Sequence, residues 1–176
     1  MSGKKIAYKW WWGWEPDALE NWLEEMELKG WRLNSASLGG IRFEFIRGEP
    51  RRMRYGVDYQ ERVETEYYNL YSDLGWKLAY SWGPWYIWAM AYQDERPQIY
   101  TDLTSRMELN NRLRGLMISL MAAMFPLLVV NLHNFDYRMP VVVFLFMMYL
   151  LLYGMITYGL FKLSRVNKAL KKGSVQ

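Results

Sequence analysis

The chain is predicted to be an α+β protein: a duplicated strand-helix-strand-strand unit, with an antiparallel sheet carrying two helices on one face, followed by a two-helix transmembrane hairpin. Three observations carry this prediction. Gly30-Trp31-Arg32-Leu33 returns 45 positions later as Gly75-Trp76-Lys77-Leu78. Each copy follows an amphipathic helical pattern and precedes an aromatic, alternating one. Toward the C-terminus, two stretches of eighteen and twenty-two residues, 115–132 and 140–161, contain no charge.

The elements follow in order. Ile6, Tyr8, Trp10, Trp12 and Trp14 alternate with other residues at period two, which reads as a strand with one strongly apolar face. Pro16 suits the first turn of a helix, where its missing N–H costs nothing, and Leu19, Trp22, Leu23 and Met26 then recur at helical spacing. Glu20, Glu24, Glu25 and Glu27 occupy the remaining positions and read as a solvated face. Gly30 stands where a left-handed helix terminus is wanted. A strand from Trp31 to about Leu38, a turn at Gly39-Gly40 and a strand bearing Ile41, Phe43 and Phe45 complete the first copy.

The second copy repeats the order. Met53, Tyr55, Val57 and Tyr59 alternate; Val63, Tyr67, Leu70, Tyr71 and Leu74 mark one side of a helix ending at Gly75; Trp76, Leu78, Tyr80 and Trp82 form a strand. Gly83-Pro84 turns the chain into a last strand with Tyr86, Trp88, Met90 and Tyr92. Under the same offset Trp10 falls on Tyr55, Leu23 on Tyr68, Met26 on Tyr71, Phe43 on Trp88 and Phe45 on Met90. A single unit of this length buries too little surface to be stable alone, which is a physical reason for duplication.

A polar linker, Gln93 to Tyr100, carries a Pro stop, and Thr101 or Asp102 can cap a new helix. The two uncharged stretches meet the length of roughly 20 residues needed to cross the hydrocarbon core. Arg106, Arg112 and Arg114 precede the first, and Lys162, Arg165, Lys168, Lys171 and Lys172 follow the second, while the connection has Arg138 beside Asp136. The positive-inside rule then places both termini in the cytoplasm of a two-pass cell-membrane protein. Gly115, Ser119 and Ala123 form a small-residue stripe predicted to pack against the second helix of the hairpin, with a helix of a separate membrane protein as the alternative partner. The domain boundaries are a cytoplasmic domain over 1–93 (repeats 6–48 and 51–93), a linker and juxtamembrane helix over 94–114, the hairpin over 115–161, and a basic tail over 162–176.

Composition narrows the chemistry. The 176 residues include ten Trp and fourteen Tyr, and no Cys, which removes disulfides, thiolate metal sites and cysteine nucleophiles. The net charge of +4 is asymmetric: residues 1–98 hold thirteen basic against fifteen acidic side chains, and residues 99–176 nine against three. The basic half is the membrane half, so Arg112, Arg114, Lys162, Arg165 and Lys168 are expected to contact anionic lipid, not nucleic acid. The single His, His133, sits in a loop beside Asn134 and Asp136 and reads as an interfacial polar residue. With no phosphate loop, metal cluster or nucleophile-base arrangement, the sequence predicts no catalytic residue, no metal and no cofactor.

The aromatic surplus carries the functional expectation. Trp22, Tyr67, Tyr71, Phe43 and Trp88 read as core on the helix side, whereas Trp11, Trp85 and Ile87 lie on the opposite parity and would form an exposed apolar sheet surface. Aromatic faces near carboxylates attract organic cations. The candidate ligand- or partner-binding residues are therefore Trp11, Tyr55, Trp85 and Trp88 for stacking, with Glu44 and Asp58 for charge. Arg47, Arg51, Arg52 and Arg54 read as a solvated basic turn.

The combination of Gly30-Trp31, Gly75-Trp76 and Tyr100-Thr101-Asp102 with a basic stretch entering a membrane hairpin resembles the DUF 2812 family of uncharacterised bacterial membrane proteins. That resemblance covers nearly the whole chain and implies no established activity; its members resemble proteins encoded near PadR-type regulators, which suggests a stress or drug-response setting. The doubled topology is also similar to the GyrI-like effector-binding domains, in which two such units enclose an aromatic cleft for lipophilic cations. Together these expectations describe a non-enzymatic, membrane-anchored recognition module for an amphipathic small molecule or a protein partner. The alternative is a structural accessory subunit of a membrane complex such as a transporter.

Overall fold

The computed structural model describes residues 3–97, 103–133 and 138–173. The Tyr100-Thr101-Asp102 element with its helix cap, and the loop residues Asn134 and Asp136, lie outside the described residues; so do the side chains of Arg106 and Lys172. The chain divides into two compact units, Met1–Thr101 and Asp102–Gln176.

The first unit is the predicted α+β assembly. Its elements are β1 (Lys4–Tyr8), α1 (Pro16–Leu28), β2 (Trp31–Ser37), β3 (Arg42–Arg47), β4 (Met53–Tyr59), α2 (Thr65–Asp73), β5 (Lys77–Trp82) and β6 (Trp85–Ala91). The strands form two separate three-stranded antiparallel sheets, ordered β1-β3-β2 and β4-β6-β5. The halves share local geometry at the 45-residue offset. Gly30 and Gly75 end the two helices at φ 76° and 85°, a conformation that costs Gly nothing and other residues about 1 kcal/mol or more. A register shift interrupts the ladder between Leu33 and Ser35 and again between Leu78 and Tyr80.

Register decides which face each residue serves. Tyr55 lies opposite Ala89 and Val57 opposite Ile87, so these four share a face; Gly56 opposite Trp88 and Asp58 opposite Tyr86 share the other. The first face joins Leu19, Leu23 and Met26 of α1 and Phe43 and Phe45 of β3 in one core. The second meets α2 through Tyr71, which stacks on Trp88 with ring centroids 4.3 Å apart. The second sheet is thus covered on both faces, with α1 and α2 on opposite sides of it, where one face for both helices was expected. Two further boundaries differ. β1 ends at Tyr8, and Trp10 to Trp14 lie outside the ladder, because aromatic alternation can be met by ring-on-ring packing as well as by a strand. Leu70 of α2 and Leu74, which follows its last residue, are exposed, leaving Tyr71 as that helix's buried residue.

The acidic face of α1 departs most from expectation. Glu27 is 0% exposed and Glu20 2%. These carboxylates run along the outer edge of β4, where alternate backbone N–H groups have no strand partner. Glu20 Oε1 accepts from Val57 N at 2.9 Å, Glu24 Oε1 from Tyr55 N at 3.3 Å, and Glu27 Oε1 from Leu33 N of β2 at 3.0 Å. Guanidinium groups complete the network: Arg54 donates to Glu20 at 2.8 Å and Glu24 at 2.6 Å, Arg51 to Glu27 at 2.6 Å, and Arg96 to Glu24 at 3.0 Å. Arg51 and Arg54 therefore belong to a buried network and not to a solvated turn. Arg96 also donates to Asn21 at 2.9 Å, which ties the segment after β6 to α1. Burial raises the Glu20 pKa, and the Arg54 charge and the Val57 N–H offset that rise only in part.

The second unit contains α3 (Leu103–His133) and α4 (Pro140–Gly173). Both are long and apolar enough to cross a membrane, with an 18-residue window of mean hydropathy 2.0 within Met107–Val130 and one of 2.1 within Pro140–Lys171. Toward α3's start and α4's end, Asn110 donates to Asn167 at 2.8 Å and Asn167 to Asn111 at 2.9 Å. Tyr149 donates to the Met124 carbonyl. The buried residues of α3 are Leu109, Asn110, Leu113 and Met117, whereas Gly115, Ser119 and Ala123 are all exposed. The small-residue stripe does not face α4, contrary to expectation, because Leu and Met offered more contact area than Gly, Ser and Ala.

Removing Glu20 takes from Arg54 one of its two carboxylates and from the Val57 N–H its side-chain acceptor. Glu20→Ala should cost about 3–5 kcal/mol in urea unfolding of the full chain in detergent. The exposed Glu25→Ala on the same helix should change stability by less than about 0.5 kcal/mol. Equal effects would show that the carboxylates act only through helix propensity.

Candidate functional site

The six expected binding residues are placed in four different environments. Tyr55 is buried in the main core, and its hydroxyl donates to Glu27 at 2.7 Å. Trp88 is buried beneath α2 and donates to the Tyr67 hydroxyl at 3.0 Å. Glu44 lies on the outer face of the first sheet, beside Lys4 at 3.5 Å and Arg42 at 4.0 Å. Ile87, expected on an open surface, is fully buried, because the first half of the unit covers that face.

Asp58 is buried and saturated with donors. It accepts from Tyr59 N at 2.8 Å, Gln60 Nε2 at 3.1 Å, Tyr67 OH at 3.0 Å and Tyr71 OH at 3.2 Å. A carboxylate buried and bonded in this way anchors α2 to the second sheet and is closed off from solvent. Burial first, and the Asp58 charge second, raise the Tyr67 phenol above its ordinary value. Burial and the Glu27 charge do the same for Tyr55.

Trp11 and Trp85 are brought together, as expected, with ring centroids 5.1 Å apart. Around them are Trp82 at 5.8 Å from Trp11, Tyr59 at 5.0 Å from Trp85, and Tyr80 stacked on Trp82 at 5.4 Å. Trp11, Tyr80, Trp82 and Trp85 are each half-buried, so the cluster packs against the core on one side and meets solvent on the other. Its shape depends on two glycines. A Cβ on Gly13 would stand 2.8 Å from the Trp85 ring, and one on Gly40 2.6 Å from Trp82. The Trp11 indole donates to the Gly40 carbonyl at 2.9 Å, which ties the segment after β1 to the β2–β3 turn. Next to it Trp12 stacks on Trp14 at 4.8 Å, and the buried Trp14 Nε1 has no acceptor among the described residues.

Sequence reasoning missed Tyr80, Trp82, Gly13 and Gly40 as parts of this cluster. Gly13 was legible in principle, as a lone glycine inside a run of four tryptophans. Among the described residues no group of three or more His, Asp or Glu side chains is placed to hold a metal ion.

A family model described as a protein of unknown function, DUF2812, matches residues 15–122. No curated protein and no solved structure matches the chain.

The raised phenols give a pH dependence of defined sign. A folded pKa above the unfolded value of 10.0 means that the stability contributed by neutral Tyr55 and Tyr67 is fully present below pH 10 and is lost as pH rises beyond it. Tyrosinate absorbance of the native protein should lack at least two phenols until unfolding. Stability should fall by up to about 1.4 kcal/mol per pH unit for each group. Reversible titration of all fourteen Tyr in the folded state would contradict the buried placement.

Proposed function

The chain belongs to the DUF2812 family, and we propose that it is a membrane-anchored, non-enzymatic recognition module built from two copies of one unit. In this reading α3 and α4 cross the cell membrane as a hairpin with both termini in the cytoplasm. Arg112, Arg114, Lys162, Arg165 and Lys168 flank the apolar spans and contact anionic headgroups. The recognition surface is the half-buried cluster of Trp11, Tyr80, Trp82 and Trp85. One observation carries the reading: Gly13 and Gly40 leave no room for a side chain, so that rings from both halves can meet while staying partly open to solvent. Half-exposed aromatic surface of this kind takes flat, amphipathic groups by stacking and area burial. With Asp58 saturated and Glu44 flanked by bases, attraction to a cation would come from ring faces and not from those carboxylates.

Titrating the full chain in detergent with amphipathic aromatic cations, followed by Trp fluorescence, should give a saturable change. That change should be weakened at least tenfold in Trp82→Ala. A flat response across chemotypes, or one unaffected by Trp82→Ala, would remove the small-molecule version.

A second reading, as an accessory subunit of a membrane complex, is favoured by a separate observation. Gly115, Ser119 and Ala123 form an exposed stripe on α3, and nothing lies within 4 Å of where a Gly115 side chain would begin. Such a stripe allows close approach of another helix. Gentle purification from the native host should then recover a stoichiometric integral partner, and Gly115→Leu should abolish the recovery. Repeated isolation of the protein alone would count against this reading.

A further inference from the structure

The two sheets of the first unit differ in what covers them. The second sheet is enclosed on both faces, as described above. The first is enclosed only on the Phe43/Phe45 face. On its outer face Ile6 lies opposite Glu44 and Tyr8 opposite Arg42, so these residues share a surface, with Lys4 opposite Ile46 at one end. Ile6 is 51% exposed and Tyr8 67%, and the row continues past the strand at Trp10, 61% exposed. Of the bases in this segment Lys4 shares the outer face, whereas Lys5, opposite Phe45, lies on the other parity over the Trp31 ring. Glu44, the acidic group on this face, is already flanked by Lys4 and Arg42.

Lysines on an edge strand have a plain role, since charge there discourages pairing with another chain. That role does not account for an exposed Ile-Tyr-Trp row, which costs solubility. Exposed aromatic and aliphatic side chains beside two bases, Lys4 and Arg42, that share a single carboxylate have the composition of a surface that rests in the headgroup layer. There Tyr and Trp rings sit at the interface and each base gains from anionic lipid. The chain supplies the membrane itself through α3 and α4.

We propose that the outer face of the first sheet, Lys4, Ile6, Tyr8 and Trp10 with Arg42, docks on the anionic headgroup layer of the membrane that α3 and α4 enter. The inference rests on the reading of α3 and α4 as membrane-spanning. Docking there holds the α+β unit against the bilayer and leaves the Trp11–Trp82–Trp85 cluster as a separate surface.

The chain has no Cys, so a single introduced cysteine can be labelled without background. Three full-length variants carry a spin label at Tyr8→Cys on the docking face, at Leu70→Cys on the exposed side of α2, and at Leu151→Cys on the exposed side of α4. Each is reconstituted in nanodiscs of phosphatidylcholine alone or with phosphatidylserine, and its accessibility to a membrane-soluble and a water-soluble relaxant is measured. Position 151 should favour the membrane-soluble relaxant in both lipids and position 70 the water-soluble one. Position 8 should shift severalfold toward the membrane-soluble relaxant when phosphatidylserine is present. Combining Lys4→Gln and Arg42→Gln with that label should weaken the docking equilibrium by roughly thirtyfold, and high salt should act in the same direction. A water-accessible position 151 would overturn the membrane reading itself. A lipid-exposed position 151 with position 8 fully water-accessible in both lipids would overturn the docking alone. Protection of position 8 that ignores phosphatidylserine and salt would assign the face to another occupant and overturn it as well.

Discussion

Three carboxylates on one side of α1, balanced by three guanidinium groups, hold the α+β unit together. Glu20, Glu24 and Glu27 accept from backbone N–H groups of β4 and β2 that have no strand partner, so the helix closes two sheet edges that would otherwise stay open. Burying three negative charges would be prohibitive alone. Arg51, Arg54 and Arg96 bring the network to neutrality, with Arg54 buried among the carboxylates and Arg51 and Arg96 closing it from the solvent side. The arrangement also defines position. A Leu stripe can slide along a sheet with little penalty, but a carboxylate one residue out of register loses its N–H, so the network sets how α1 meets both halves.

The same network explains why the halves are not equivalent. At the 45-residue offset Glu20, Glu24 and Glu27 correspond to Thr65, Asn69 and Ser72, none of which can accept from a strand edge as a charged group. Accordingly α2 relies on Tyr67 and Tyr71 around Asp58 instead. Arg42 and Glu44 correspond likewise to Ile87 and Ala89. One sheet is therefore enclosed and the other keeps a polar and aromatic face in solvent. The surfaces left open to solvent lie where the halves differ, at the open face of the first sheet and at the ring cluster where Gly40 faces Trp82.

The helical unit follows a different rule. Over the apolar spans contact area decides packing, and Leu113 and Met117 are buried on α3 while Gly115 and Ser119 face outward. Beside these residues, toward α3's start and α4's end, the asparagines 110, 111 and 167 satisfy one another, a geometry that two apolar faces could not specify.

How much of this was legible in the chain itself can be argued residue by residue. Local signals sufficed for element type: Pro16 and Gly30 bound α1, Gly75 ends α2, and the uncharged runs mark α3 and α4, because these depend on backbone conformation and on apolar content over a short window. The spacing also held a clue to the network, since Glu20, Glu24 and Glu27 recur at the intervals of Leu19, Leu23 and Met26, one position on. A solvated stripe and a buried one have the same spacing, however, and only the partners distinguish them. Arg54 lies 34 positions from Glu20, and Arg96 lies 72 from Glu24. The candidate site was decided at the same range. Trp11 and Trp85 could be named from parity, but that Trp88, Tyr55 and Asp58 are core, and that Trp82 joins Trp11 over Gly40, depends on which face of one half covers the other. The sequence by itself determined the elements and their order, because those are local equilibria of a few residues. Tertiary structure alone decided which charges are buried and which rings remain open, because burial is a property of the assembled surfaces and not of any residue's type.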